Sequence, residues 1–295
     1  MRVTTGMMID GVLADLRSTW SRLARYEREL SSGKRLLQPS DDPVGVVRSL
    51  GLRSELNRIN RYLANVDDAR NWMDMTDMAL GQAGDVLQRV RELAVSTAGT
   101  VPQSTLQAAR AEVARLLEQL IEIGNTSYGD RYIFAGQKTL TAPFSLTGDP
   151  AAPVDYNGDS SPILREVAPG TTIPVNRPGD GAMRQAIVMV ANYLDALDDA
   201  IGGAPLSSDV LAQLDRALDG ILEERAQVGA DGHRLEMTRS RLQDSVYQLT
   251  ALLSETEDAD MAEVIVRLTS TEAAYRAALE AGARIIQPSL LDFLR

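Results

Sequence analysis

The chain has 295 residues, 44% hydrophobic and only 4% aromatic, and carries a formal net charge of -11. So acidic a surface disfavours nucleic acid as a partner, because a phosphate backbone is held by clustered Lys and Arg. The absence of cysteine excludes disulfides and thiolate metal sites, and no run of eighteen apolar residues reads as a membrane span.

The scarcity of Phe and Trp predicts slender helix-on-helix packing built from Leu, Ala and Val. Charge is uneven. Residues 1–70 carry 12 Lys plus Arg against 9 Asp plus Glu, a balance of +3, and the remainder 18 against 32, a balance of -14. Such asymmetry can orient subunits electrostatically, although a modest imbalance of this kind also occurs with no consequence.

The first ten residues lack a long apolar core and reach an acid at Asp10, so they do not read as a cleaved secretory signal. Residues 7–31 read as an amphipathic helix. Ile9, Leu13, Leu16, Trp20, Leu23, Glu27 and Leu30 recur in steps of four and three. Ser31-Ser32-Gly33 supplies a left-handed stop. In the turn that follows, Ser40 or Asp42 is placed to cap the next helix, with Asp41 between them and Pro43 at its first position.

That next helix is predicted over residues 44–97. Its row is Leu52, Leu56, Ile59, Leu63, Val66, Arg70, Met73, Asp77, Leu80, Gly84, Leu87, Arg91 and Ala94. At 1.5 Å per residue it is about 80 Å long. Arg70, Asp77, Gly84 and Arg91 dilute the row and predict local partners rather than one uninterrupted coiled coil. A third helix, Gln103 to about Gly124, doubles back after Pro102. Residues 128–179 are rich in Gly, Pro, Asp and Thr and read as a small β-rich excursion, with turns at Asn157-Gly158 and Thr147-Gly148-Asp149. Asp149, Asp155 and Asp159 lack the spacing of a calcium loop and read as solvated turn residues.

Helix returns over about 180–200, then in a second long helix with the row Leu211, Leu214, Leu218, Ile221, Arg225, Val228, Gly232, Leu235, Arg239, Leu242, Val246, Leu249 and Leu253. After the acidic break at 255–260, a terminal helix carries Met261, Ile265, Leu268, Glu272, Tyr275, Leu279, Gly282 and Ile286. The two terminal helices are plausible mates, packing together or awaiting neighbouring subunits. If neighbours supply the missing face, ordering and assembly become one event.

Catalytic chemistry finds no foothold. His233 is the single histidine, and neither a Gly-x-Ser-x-Gly elbow nor a nucleotide-binding glycine loop is present. The sequence predicts a mainly α protein with a small β-rich insertion and long antiparallel helices, no cofactor and no active site.

Several segments carry a resemblance to a known family. Leu30-Ser31-Ser32-Gly33-Lys34-Arg35 followed by Pro39-Ser40-Asp41-Asp42-Pro43 resembles the N-terminal signature shared by flagellins and hook-associated proteins of the FlgL type. Asn57, Asn65 and Asp77 on the long helix agree with it. Tyr128-Gly129-Asp130-Arg131-Tyr132-Ile133-Phe134-Ala135-Gly136, Tyr156-Asn157-Gly158-Asp159 and Arg165-Glu166-Val167-Ala168-Pro169-Gly170 resemble the family's opening into its β part. Arg225-Ala226-Gln227-Val228-Gly229-Ala230 and Glu257-Asp258-Ala259-Asp260 resemble its C-terminal segments. Asp231-Gly232-His233 departs from the family pattern and is expected to loosen the helix locally. The ending Pro288-Ser289-Leu290-Leu291-Asp292-Phe293-Leu294 and the short middle insertion resemble the junction branch more than filament flagellins.

The resemblance implies a structural component of the bacterial flagellum at the hook-filament junction, exported without a cleaved signal peptide. Its implied partners are copies of itself in a ring or helical layer, the first hook-associated protein below, flagellin above, and the export chaperone and export apparatus. Residues 1–40 with 257–295 would form an inner helical domain, 41–127 with 180–256 a surrounding one, and 128–179 an outward part. Implied subunit contacts are Ile9, Leu13, Leu16, Trp20, Leu23, Ile265, Leu268, Tyr275, Leu279, Ile286 and Phe293, with the turn Ser40, Asp41, Asp42 and Pro43 joining the layers. A minor flagellin that polymerises alone, and an unrelated coiled-coil adaptor, remain as alternatives.

Overall fold

The computed structural model describes residues 5–99, 101–147, 153–206 and 209–286. Six helices carry most of them: α1 (Thr5–Ser32), α2 (Pro43–Thr97), α3 (Gln103–Gly124), α4 (Ala182–Ile201), α5 (Asp209–Glu257) and α6 (Met261–Ile286). Six short strands lie between α3 and α4: β1 (Ser127–Tyr128), β2 (Arg131–Tyr132), β3 (Phe144–Leu146), β4 (Val154–Tyr156), β5 (Leu164–Ala168) and β6 (Thr171–Pro174). The chain falls into two compact units, Met1–Arg58 with Val246–Arg295, and Ile59–Ser245. Both α2 and α5 run unbroken from one unit into the other.

In the larger unit, α3 packs along α4. Leu106, Val113, Leu117 and Leu120 are buried on the first helix, Met183, Ile187, Val190 and Leu197 on the second. Helix α2 joins them through a row that the apolar periodicity does not single out: Ala69, Trp72, Thr76, Ala79, Ala83, Val86, Val90, Leu93 and Thr97, all buried. It ends at a hydrogen bond of 2.8 Å between the hydroxyls of Thr97 and Tyr193 on α4.

The row expected from the sequence lies alongside and meets α5. Met73, Leu80, Leu87 and Ala94 are buried on α2. On α5, every seventh residue is buried: Leu214, Ile221, Val228, Leu235 and Leu242. The charges that dilute the α2 row face charges of opposite sign. Asp77 pairs with Arg225 at 2.8 Å, Arg91 with Asp215 at 2.6 Å, and Arg70 with Glu236. Asp67 pairs with Arg239 at 2.8 Å. These pairs are about half exposed, so each contributes at most about 1 kcal/mol, and their value lies in fixing register.

The β excursion consists of three separate antiparallel hairpins, β1-β2, β3-β4 and β5-β6. Phe134, Phe144, Val154, Val167 and Ile173 are among its buried apolar side chains. Polar contacts attach it to the helices. Asn125 exchanges two bonds of 2.9 Å with the backbone of Phe144, Asn65 donates to the Glu166 carbonyl at 2.8 Å, and Arg177 pairs with Asp231 at 2.6 Å.

Asp159 sits in an irregular segment, partly exposed, where its Oδ1 accepts the backbone N–H groups of Gln137 and Ser161 at 2.8 and 3.0 Å. Those bonds hold its carboxyl below the usual range. The Tyr156 hydroxyl, 2.8 Å from the Phe134 carbonyl, is pushed up to about 12 by burial. Asp155 is exposed, as expected, and Asp149 lies outside the described residues.

Candidate assembly interface

In the smaller unit, α1 and α6 pack antiparallel. The ring centroids of Trp20 and Tyr275 are 5.7 Å apart, and Val12 abuts Gly282. Numbering the heptad from Ile9 as a, the intrachain seam on α1 is Ile9, Val12, Leu16, Thr19, Leu23 and Tyr26, with Thr19 and Leu23 most buried. The matching seam on α6 is Val264, Leu268, Thr271, Tyr275, Ala278 and Gly282. Both are a/d rows.

The rows read from the sequence are therefore split. Ile9, Leu16, Leu23, Leu268 and Tyr275 lie on the seam. Leu13, Trp20, Ile265 and Leu279 stand one position beyond it, at e, and remain between 41% and 56% exposed. The backbone of Ile286 belongs to α6, and Phe293 lies outside the described residues, as does the tail 288–294.

Small and self-satisfied residues cause this shift. A Cβ on Gly282 would stand 3.0 Å from Val12 Cγ1, so glycine there lets the two backbones approach. Thr19 donates its hydroxyl to the Asp15 carbonyl at 2.8 Å, and Thr271 to that of Arg267 at 2.7 Å. With its polar atom spent on its own helix, each threonine presents a methyl to the seam. Val12, Thr19, Thr271 and Ala278 thus take the seam positions that the sequence row assigned to Leu13, Trp20, Glu272 and Leu279, while Gly282 keeps the position that row gave it.

In an antiparallel pair, like flanks of the two helices come to the same side. The e residues of α1 and α6 consequently form one apolar face, Leu13 and Trp20 beside Leu279, with Ile265 further along. Glu27 and Glu272 occupy e positions among them. The other flank is polar. There Arg25, Glu29, Arg35, Asp260, Glu263 and Arg267 border a cavity of about 260 Å³, with Glu29 buried against Arg25 at 2.8 Å.

A charged joint ties this pair to α2. The Glu257 side chain, 4% exposed, accepts Lys34 Nζ at 2.5 Å and both Nε and Nη2 of Arg53 at 2.6 Å. The Arg53 and Lys34 bonds hold its carboxyl at about 2, against the desolvation that would raise it. Backbone bonds complete the joint: Arg35 N–H to the Glu257 carbonyl at 2.7 Å and Ala259 N–H to the Gly33 carbonyl at 2.9 Å. Gly33, at φ +69°, ends α1 in the left-handed conformation expected of it. Arg53 was not singled out from the sequence, and Glu257 only as part of a segment resembling the family's C-terminal region, not as a paired acid; an acid in an acidic run carries no mark of burial.

Of the two capping residues expected in the 40–43 turn, Asp42 caps α2, its Oδ1 accepting Gly45 N–H at 2.9 Å, and Pro43 is the first helical residue, as expected. Asp41 Oδ2 accepts the N–H groups of Gln38 at 2.9 Å and Leu37 at 3.3 Å. Ser40 is exposed. Helix α5 continues unbroken through Asp231-Gly232-His233, with no local loosening, and Gly232 and His233 border an open groove of about 400 Å³ with Arg70, Asp74 and Gly229. Among the described residues no group of three or more acids and histidines is placed to hold a metal, and no helix is long and apolar enough to cross a membrane.

Comparison with known proteins bears directly on this arrangement. Residues 3–139 match the bacterial flagellin N-terminal helical region, and residues 211–294 the bacterial flagellin C-terminal helical region. The chain belongs to the bacterial flagellin family. Both halves of the α1/α6 pair and of the joint fall inside the family regions. The chain is similar to flagellar hook-associated protein 3 of Escherichia coli, 25% identical over 94% of this chain and 96% of that protein. It is also similar to a flagellin of Bacillus subtilis, 27% identical over the whole of both chains. The crystal structure of FlgL from Bacillus cereus shares the fold, with a TM-score of 0.59 and 21% identity over 69% of this chain and 99% of that one.

Proposed function

We propose that this chain is the structural component of the flagellum that joins hook to filament. The observation that carries this reading is the end-to-end similarity to a hook-associated protein 3, with almost nothing left over on either chain. Support comes from the short β excursion, which among the described residues holds three small hairpins between the helical regions. The role is structural, not catalytic.

In this reading the exposed row Leu13, Trp20, Ile265 and Leu279, with Ile286 and Phe293, makes contacts between subunits, while Ile9, Leu16, Leu23, Leu268 and Tyr275 hold each subunit's own pair. Residues 1–40 with 257–295 form the inner layer, 41–127 with 180–256 the surrounding one, and 128–179 face outward. The turn from Ser40 to Pro43 joins the layers. The chain rests on the first hook-associated protein, receives flagellin above, and reaches its place through the export apparatus with a chaperone.

The similarity to the Bacillus subtilis flagellin, complete on both chains, favours a second reading as a minor flagellin. Negative-stain microscopy of the purified protein, alone and added to isolated hooks bearing their first junction protein, separates the two. Capped hooks that then support filament growth establish the junction role. Long filaments from the protein alone establish the flagellin.

A further inference from the structure

Eight asparagines occur in the chain, and the fold restrains seven of them. Asn57, Asn60, Asn65 and Asn71 belong to α2 and Asn192 to α4, where the next backbone N–H is bonded within the helix. Asn125 commits both ends of its amide to the Phe144 backbone at 2.9 Å. Asn176 is buried and commits its own to the Ile163 N–H and the Ser161 carbonyl at 2.6 and 3.2 Å. Each of the seven is followed by a residue with a side chain.

Asn157 differs in every one of these respects. It stands just past β4 in an irregular stretch and is exposed. Among the described residues its side chain makes one hydrogen bond, from Nδ2 to Oγ of the equally exposed Ser145 at 3.2 Å. The next residue is Gly158, whose N–H makes no hydrogen bond among the described residues. Glycine also has no Cβ to crowd a ring closing at that point. A reactive carbon and a free backbone nitrogen are therefore adjacent, in water.

We propose that Asn157 is a site of spontaneous covalent modification, at which the Gly158 backbone nitrogen displaces the side-chain amide. That nitrogen bonds to Asn157 Cγ while the bond from Cγ to Nδ2 breaks, and its proton leaves with Nδ2 as ammonia. Water then opens the five-membered succinimide at either carbonyl, leaving aspartate or isoaspartate. No electrons are gained or lost, and water is the one co-reactant.

The surroundings give the change a structural effect. A carboxylate at 157 joins Asp155 and Asp159 and can no longer donate to Ser145. Isoaspartate also adds a methylene to the main chain between two anchored points. These are the Asn157 N–H on the Pro143 carbonyl at 2.8 Å and the Asp159 N–H on the Ala135 carbonyl at 3.1 Å.

The test incubates the full-length protein in warm, mildly alkaline buffer, both native and unfolded in guanidinium chloride. Digests are read by mass spectrometry for amide-to-acid conversion at each asparagine, with aspartate and isoaspartate peptides separated by chromatography. Asn157→Gln is treated alongside, because glutamine would have to close a slower six-membered ring. In the native protein Asn157 is expected to convert several-fold faster than any other asparagine and within a few-fold of its rate in the unfolded chain. Both products should appear, and the glutamine variant should stay intact at 157.

An Asn157 that survives in the native protein while the unfolded chain converts would show that the hairpin protects it, and overturn the proposal. Native conversion spread evenly over the asparagines would do the same. Aspartate without isoaspartate, or equal conversion of Asn157→Gln, would mean direct hydrolysis by water and remove the role of Gly158.

Discussion

Val12 Cγ1 lies 3.0 Å from the place where a Cβ on Gly282 would stand, on the α1/α6 seam. That contact makes Gly282 a packing residue, although glycine costs about 1 kcal/mol relative to alanine in a helix interior. Gly282→Leu forces the helices apart and is expected to destabilise the pair by about 1–3 kcal/mol. Hydrogen exchange should quicken along α1 and α6 and stay unchanged in α3 and α4. Equal exchange in all four helices would refute this.

Glu257 is expected to matter more than any half-exposed charge in the chain. Glu257→Gln removes charge from two hydrogen-bonded cations and should cost about 1–3 kcal/mol. Its carboxyl, held at about 2, lies below the ordinary value of 4.5. The unfolded chain therefore takes up a proton before the folded one does. The stabilisation is complete above about pH 4.5, declines as pH falls, and is lost once pH passes through about 2. Denaturation of the parent and of Glu257→Gln should give curves separated by a constant amount above pH 5 that converge between pH 4.5 and 2.

The ladder between α2 and α5 should be energetically quiet. Arg225→Ala breaks a pair with Asp77 in which both side chains are more than 40% exposed, and its cost is expected to stay below about 1 kcal/mol. Leu235→Ala, at a fully buried position on the same helix, is expected to cost about 2–5 kcal/mol. Thermal unfolding of the two variants checks the order, and a reversed order would show that the charges carry the packing.

Leu13→Ser and Ile265→Ser are expected to leave subunit stability within about 0.5 kcal/mol, the range for surface positions, and yet to prevent subunits from accumulating on hooks. Far-ultraviolet circular dichroism during heating, beside microscopy of the hooks, separates the two effects. A variant that melts early and also fails on hooks would place the residue in the fold instead of at its surface.

Much of this molecule was legible because its helices are long and regular. The breaks at Gly33, Pro43, Thr97 and Gln103 follow from backbone chemistry alone. The rows on α5 are as regular as the spacing predicts, since Leu214, Ile221, Val228, Leu235 and Leu242 fill the same face. Threonine hid the rest. Thr19, Thr76, Thr97 and Thr271 each return a hydroxyl to the carbonyl four residues back. Thr19, Thr76 and Thr271 then serve as small apolar residues at buried or half-buried positions, while the Thr97 hydroxyl also meets that of Tyr193. A count that scores threonine as polar passes over Ala69–Thr97 on α2 and shifts the α1 and α6 seams by one residue. Burial of Glu257 was illegible for a related reason: its partners, Lys34 and Arg53, are distant in the chain, and nothing local marks the acid as paired.

The joint at Glu257 also governs when the chain becomes whole. Lys34 and Glu257 are 223 residues apart, and α1 finds its mate only in α6, at the opposite end of the sequence. Loops of that span close late. During synthesis α1 stays without its partner until α6 has been made. A copy truncated before α6 therefore has no paired terminal helices to offer.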